Sequence, residues 1–149
     1  MRVLLDTNIF IYRENDHIIS YDLQQLLSVL NKLKTELLIH PLSLEEIRRD
    51  QDARRQAVML SKIGAYPLLE MPPVPEEDPK FFYIIEQEDE AHDLIDNNIL
   101  YSVYKDAVDF LVTEDRDIHK KAIKLGIDNR VLLIAEALTV FRGHLQKDS

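Results

Sequence analysis

Residues 109–115, DFLVTED, carry the reading that decides the fold: a three-residue apolar run stops on a hydroxyl residue and two acids. The chain starts in the same way, because residues 2–7, RVLLDT, run through Val3, Leu4 and Leu5 and stop on Asp6. Short unbroken apolar runs bounded by turn residues suit strands buried on both faces. Working outward, strands are expected over 2–5, 37–39 (ended by Pro41), 109–113 and 131–134. Helices are expected over 22–34, with Leu23, Leu26, Leu27 and Leu30 on one stripe, from Ser43 to Gly64, and over 89–105, 117–125 (closed by Gly126) and 135–146. Residues 66–80 hold five of the six prolines and read as an irregular connection. Strands separated by helices imply βαβ crossovers, hence an α/β fold of three layers, α/β/α, around a central parallel sheet.

At 149 residues the chain fits one domain over 1–149, and 46% apolar with 30% charged residues is an ordinary globular balance. No apolar stretch approaches the roughly 20 residues of a membrane span, and Arg2 is followed by only three apolar residues before Asp6, unlike a signal peptide. A cytoplasmic protein with no membrane association is expected. With no cysteine, any bound metal must take oxygen or imidazole ligands, and oxygen ligands mean magnesium, manganese or calcium. The net charge of −9 argues against an acidic partner, yet residues 76–96 hold nine acids against Lys80 alone, which leaves the remainder nearly neutral. Residues 48–62 (Arg48, Arg49, Arg54, Arg55, Lys62) and 116–124 (Arg116, Lys120, Lys121, Lys124) are locally basic, either solvated helix faces or a rim for phosphates.

Open parallel sheets bind ligands outside the carboxyl ends of their strands, where strand order reverses. Asp6 and Asp115 both fall just past a strand, so one rim receives two carboxylates. In HDLIDNNILYSVYK, residues 92–105, Asp96 shares an i, i+3, i+4, i+7 stripe with Ile99, Leu100 and Val103, where a carboxylate is costly unless it is paired or holds a metal. Asp93, one turn earlier, reads more simply as favourable charge at a helix N-terminus. Glu46 fits two uses. Ser43 to Glu46 has the S-x-x-E form of a capping box, in which Glu46 would bond the backbone of Ser43, and it also lies in the first turn of a helix at the same rim.

Taken together, LLDTN at the start, SLEEI after the second strand, IDNNIL in a central helix and DFLVTEDRDI after a later strand resemble the PIN-domain family of metal-dependent nucleases over nearly the whole chain. The stretch TEDRDIHKKAIKLGI is similar to PIN domains found alone or joined to acetyltransferase domains. The resemblance places the family's four acids on Asp6, Glu46 (rather than Glu45), Asp96, 19 residues before Asp115, and Asp115. Asp93, at a spacing of 22, is the weaker match for the third. It implies that these four are the catalytic residues and hold Mg2+ or Mn2+, with Asn8, Thr113 and Asp117 beside them as supporting or phosphate contacts. Arg48, Arg49, Lys120 and Lys121 are the matching RNA-contact candidates. RNA is then the substrate and the activity an endoribonuclease. Because small members include toxins, the resemblance also leaves an antitoxin, an acetyltransferase partner or a homodimer as expectations.

The implied chemistry agrees with the residue types. Clustered carboxylates raise one another's pKa unless a cation intervenes, and magnesium is commonly held by one or two carboxylates, waters and substrate phosphate. A haloacid-dehalogenase-like phosphatase would need a second acid where Asn8 stands, and a receiver domain would need an acid beside Asp6. A binding module that keeps the fold without hydrolysis stays open.

Overall fold

In the computed structural model, which describes residues 1–10, 20–86 and 94–147, strands β1 (Arg2–Leu5), β2 (Glu36–Leu38), β3 (Phe110–Val112) and β4 (Val131–Leu132) form one sheet. The order is β2-β1-β3-β4 and every pairing is parallel, as expected. The α-helices among the described residues are α1 (Tyr21–Lys32), α2 (Pro41–Arg48), α3 (Ala53–Ile63), α4 (Pro79–Ile85), α5 (Leu94–Tyr104), α6 (Arg116–Leu125) and α7 (Ile134–Lys147). None of them is long and apolar enough to cross a membrane.

The layers follow from the two-residue alternation of strand side chains. Val3 and Leu5 of β1, Val112 of β3 and Leu132 of β4 pack with Leu23, Leu26 and Leu30 of α1 and Ala137, Leu138 and Phe141 of α7. On the opposite face Leu4, Leu38, Leu111 and Val131 pack with Ile99, Leu100 and Val103 of α5 and Ile118 and Ala122 of α6. Leu4 lies beside Leu38 on one side and Leu111 on the other, and all three are buried. Each such side chain removed from water contributes roughly 1.5–3 kcal/mol, and Val3, Leu4 and Leu5 of β1 are all buried.

Several boundaries differ from the sequence expectation. The helix expected from Ser43 to Gly64 is two helices, broken after Arg48. Asp52 caps α3 by accepting from Arg55 N at 3.1 Å, while Asp50 accepts from Asp52 N and takes the Arg55 side chain at 2.6 and 2.8 Å. The capping box on Ser43 does not form, because α2 begins two residues earlier. Pro41 occupies its first turn and His40 is the N-cap, its Nδ1 accepting from Leu42 N at 3.1 Å. At the end of the proline-rich connection begins a helix that was not expected, α4, started by the Asp78–Pro79 pair and anchored by Phe81 and Ile85 against Tyr101. The Tyr101 hydroxyl donates to Asp78 Oδ2 at 2.9 Å. Strands β3 and β4 are shorter than expected, since Thr113 leaves the ladder and Ile134 already opens α7. Residues 67–69 extend the sheet beyond β2 by a parallel bridge, with Ile39 N donating to Pro67 O and Leu69 N to Ile39 O at 3.0 and 2.9 Å.

Two glycines make the local backbone testable. Gly126 ends α6 at φ 73°, in the left-handed region, whereas Gly143 lies inside α7, and an added Cβ meets nothing within 4 Å at either. Gly126→Ala is expected to lose about 1–2 kcal/mol through backbone strain and Gly143→Ala to gain about 0.5–1 kcal/mol through helix propensity. Thermal melting, at roughly 2–4 °C per kcal/mol for a chain of this size, should move the two variants in opposite directions.

Candidate active site

The chain runs from β1 outward to β2 and then returns to the other side of β1 at β3. The strand order therefore reverses between β1 and β3, and the carboxyl ends of those two strands flank the crevice where such sheets bind ligands. Asp6 and Thr113 stand there.

The backbone fixes both. Asp6 N donates to Val112 O at 3.0 Å, and the chain then tightens into a single 3-10 turn over Thr7–Phe10, with Ile9 N donating to Asp6 O at 3.1 Å and Ile9 and Phe10 buried beneath it. Thr113 N donates to Leu132 O at 3.0 Å. The Thr113 hydroxyl donates to Asp6 Oδ2 at 2.6 Å and accepts from Asp115 N at 3.1 Å and Asn8 Nδ2 at 3.4 Å. One donor and two acceptor positions are all a hydroxyl has, so this side chain is fully used. Asn8 Oδ1 accepts from Glu114 N at 3.4 Å, and Thr113 O accepts from His119 Nε2 at 2.8 Å, tying the two strand ends and α6 into one unit.

Asp115 is the N-cap of α6, with Oδ1 accepting from Asp117 N at 2.9 Å and Ile118 N at 3.4 Å. Hydrogen bonds among the described residues take only that oxygen. Asp96 sits in the first turn of α5, half-buried, while Ile99, Leu100 and Val103 of its stripe are buried as the periodicity implied. Glu46 is exposed on α2.

The acids act on one another. Burial pushes the Asp6 carboxyl above its ordinary range, partly offset by the Thr113 hydroxyl and the Asn8 backbone N–H, and Asp115 and Glu46 push it further up. Burial likewise raises Asp96, to about 7, with Asp115, Asp6 and Glu46 adding and Lys121 opposing. Asp6, Glu46, Asp96 and Asp115 thus share one electrostatic neighbourhood. Among the described residues, however, no three acidic or imidazole side chains stand close enough to form a ready-made metal cage. The donor chemistry fits a hard divalent cation, and the spacing means that ligation of one would run partly through water. Asp117 contributes its N–H to the cap and is exposed, and it is not among the charges that shift Asp6 or Asp96. Asp93 lies outside the described residues.

Of the basic candidates, several are engaged locally. Arg49 pairs with Glu45 at 3.6 Å, Arg55 with Asp50 and Asp52, and Lys124 with Glu86 at 3.2 Å. Lys121 Nζ donates to Asn97 Oδ1 at 2.9 Å. Arg48, Arg54 and Lys120 are exposed. Sequence reasoning missed Asn97, His40 and His119. For His40 a signal existed, since an N-cap residue directly before a proline marks a helix start.

His40 is buried at the carboxyl end of β2, and burial lowers its pKa to about 4. The two shifted groups give opposite pH dependences. Between about pH 4 and 6.5 the unfolded chain protonates His40 while the folded one does not, so this residue makes stability fall as pH falls through that window. Between about pH 4 and 7 the folded chain protonates Asp96 while the unfolded one does not, so that residue makes stability fall as pH rises. Melting in chelator should show Asp96→Asn gaining on wild type more at about pH 8 than at pH 5, and His40→Asn gaining more at about pH 4.5 than at pH 7.

Comparison of the chain with known protein families, with curated proteins and with solved structures returns no match.

Proposed function

We propose that this chain is a PIN-type ribonuclease that hydrolyses RNA phosphodiester bonds with the help of magnesium or manganese. One juxtaposition supports the reading above all others: at the reversal point of the parallel sheet the Thr113 hydroxyl donates to the Asp6 carboxylate at 2.6 Å and accepts from the backbone N–H of Asp115 at 3.1 Å, so both acids are rooted in one rim. Asp96 and Glu46 belong to the same charge neighbourhood. A buried carboxylate with carboxylate neighbours is unfavourable in itself and favourable as half of a cation site.

Asp6 and Asp115 would hold the ion, with Asp96 and Glu46 acting directly or through water. A bound ion supplies acidified water and charge stabilisation for in-line displacement at phosphorus. Thr113 keeps the Asp6 carboxylate in one orientation, and Asn8 keeps the two strand-end turns in register with it. Arg48 on α2 and Lys120 on α6, both exposed, are available to meet flanking phosphates.

A second reading, an RNA-binding module without hydrolysis, draws on the spread of the acids, no three of which are near enough to cage an ion among the described residues. Labelled single-stranded RNA separates the two. The nuclease reading expects cleavage in millimolar magnesium, none in chelator, and a loss of at least about 100-fold in Asp6→Asn and in Asp115→Asn. Retention of the RNA uncleaved supports the binding module, and equal turnover by wild type and both variants removes the assignment.

A further inference from the structure

The turn after β3 carries both the hydroxyl that holds Asp6 and the acid Asp115, and its shape hangs on one peptide unit. Thr113 is fixed on its N-terminal side, where its N–H donates to Leu132 O at 3.0 Å. On its other side, the peptide that joins it to Glu114 is bonded at both polar ends. The carbonyl accepts from His119 Nε2 at 2.8 Å, and the N–H donates to Asn8 Oδ1 at 3.4 Å. Because a carbonyl only accepts, the His119 ring carries a proton on Nε2. Reversing the peptide would set its N–H against the Nε2–H and its carbonyl against the Asn8 oxygen, donor to donor and acceptor to acceptor. The rotation this blocks, ψ of Thr113 with φ of Glu114, governs how Asp115 stands relative to the Thr113 hydroxyl, to which its N–H donates at 3.1 Å. The His119 backbone adds a second tie, its N–H donating to Asp115 O at 3.2 Å, so one residue holds both ends of the turn.

We infer that His119 is a positioning residue of the rim: its imidazole locks the Thr113–Glu114 peptide and thereby keeps the Thr113 hydroxyl on Asp6, and Asp115 beside it, in one arrangement for hydrolysis. The inference rests on the nuclease reading above. The ring acts through the backbone of Thr113, whose hydroxyl in turn orients the Asp6 carboxylate at 2.6 Å. On α6 it is Ile118 and Ala122 that fill the core against the sheet, whereas His119 is half-buried and spends its Nε2–H on the turn. Loss of that donor therefore leaves the packing of the fold in place and releases the turn.

The experiment compares wild type with His119→Phe, which keeps a ring without the donor, and His119→Gln, whose amide nitrogen can reach the place of Nε2. His119→Leu replaces His119→Phe if thermal melting shows the latter to be unfolded. Cleavage of labelled single-stranded RNA in millimolar magnesium gives kcat and KM, and hydrogen exchange followed by nuclear magnetic resonance in chelator gives the protection of the Glu114 and Asp115 amides. His119→Phe is expected to lower kcat about 10-fold or more with KM unchanged, and to exchange faster at Glu114 and Asp115 while the amides of β3 stay as in wild type. His119→Gln should recover most of both. A wild-type kcat in the folded His119→Phe protein, or an equal loss in His119→Gln, overturns the inference and leaves the nuclease reading standing. No cleavage by wild type removes the nuclease reading and, with it, the role in hydrolysis.

Discussion

A carboxylate held in the interior of a protein by one hydroxyl and one backbone N–H is the constraint around which this molecule is arranged. Asp6 is 8% exposed, and its shortest bond is the 2.6 Å one from Thr113. A hydrogen bond to a charged group contributes about 1.5–3 kcal/mol net, which offsets only part of the burial. The remainder is borne by the two cores, whose side chains alternate above and below β1 and fix its register against β3. A slip of one residue in that pairing would turn Asp6 to the other face and place a leucine at the rim. The packing of Leu4 between Leu38 and Leu111 is therefore also what aims the acid.

Much of this was legible in the residue order, for identifiable reasons. Asp6, Thr113 and Asp115 follow short apolar runs, and in a parallel sheet every strand ends on the same side, so their convergence follows from the fold class alone. Asp96 was legible because its stripe-mates are unmistakably apolar. The break between α2 and α3 was hidden because Asp50, Asp52 and Arg55 form a local polar clasp inside a stretch whose apolar spacing reads straight through. Prolines masked α4, although Pro79 sits where a helix tolerates it best. The bond from Lys121 to Asn97 spans 24 positions and depends on which face of α6 meets α5, which no local pattern states.

The distribution of charge also bears on how RNA would be met. Arg49, Arg55 and Lys124 are paired with acids of their own neighbourhoods, and the net charge is −9. A broad attractive field for a polyanion is absent from such a surface. Association would depend on a few placed cations and on whatever the acids themselves bind, which makes recognition local to the rim and not a property of the whole face.

Asp6 and Thr113 are separated by 107 positions, while the neighbour of β1 on its other side comes only 34 positions later, as Arg2 and Glu36 illustrate. β1 is made before every strand it joins, and its functional partner β3 follows well after β2. During synthesis β1 can pair with β2 early, but the loop closure that brings in β3 comes after the intervening helices have formed. Until then Asp6 has no hydroxyl to receive and one edge of β1 stays open. The rim is consequently assembled only after β3 has been made, 107 positions beyond Asp6, so a growing polypeptide carries the acid of this site long before it carries the site.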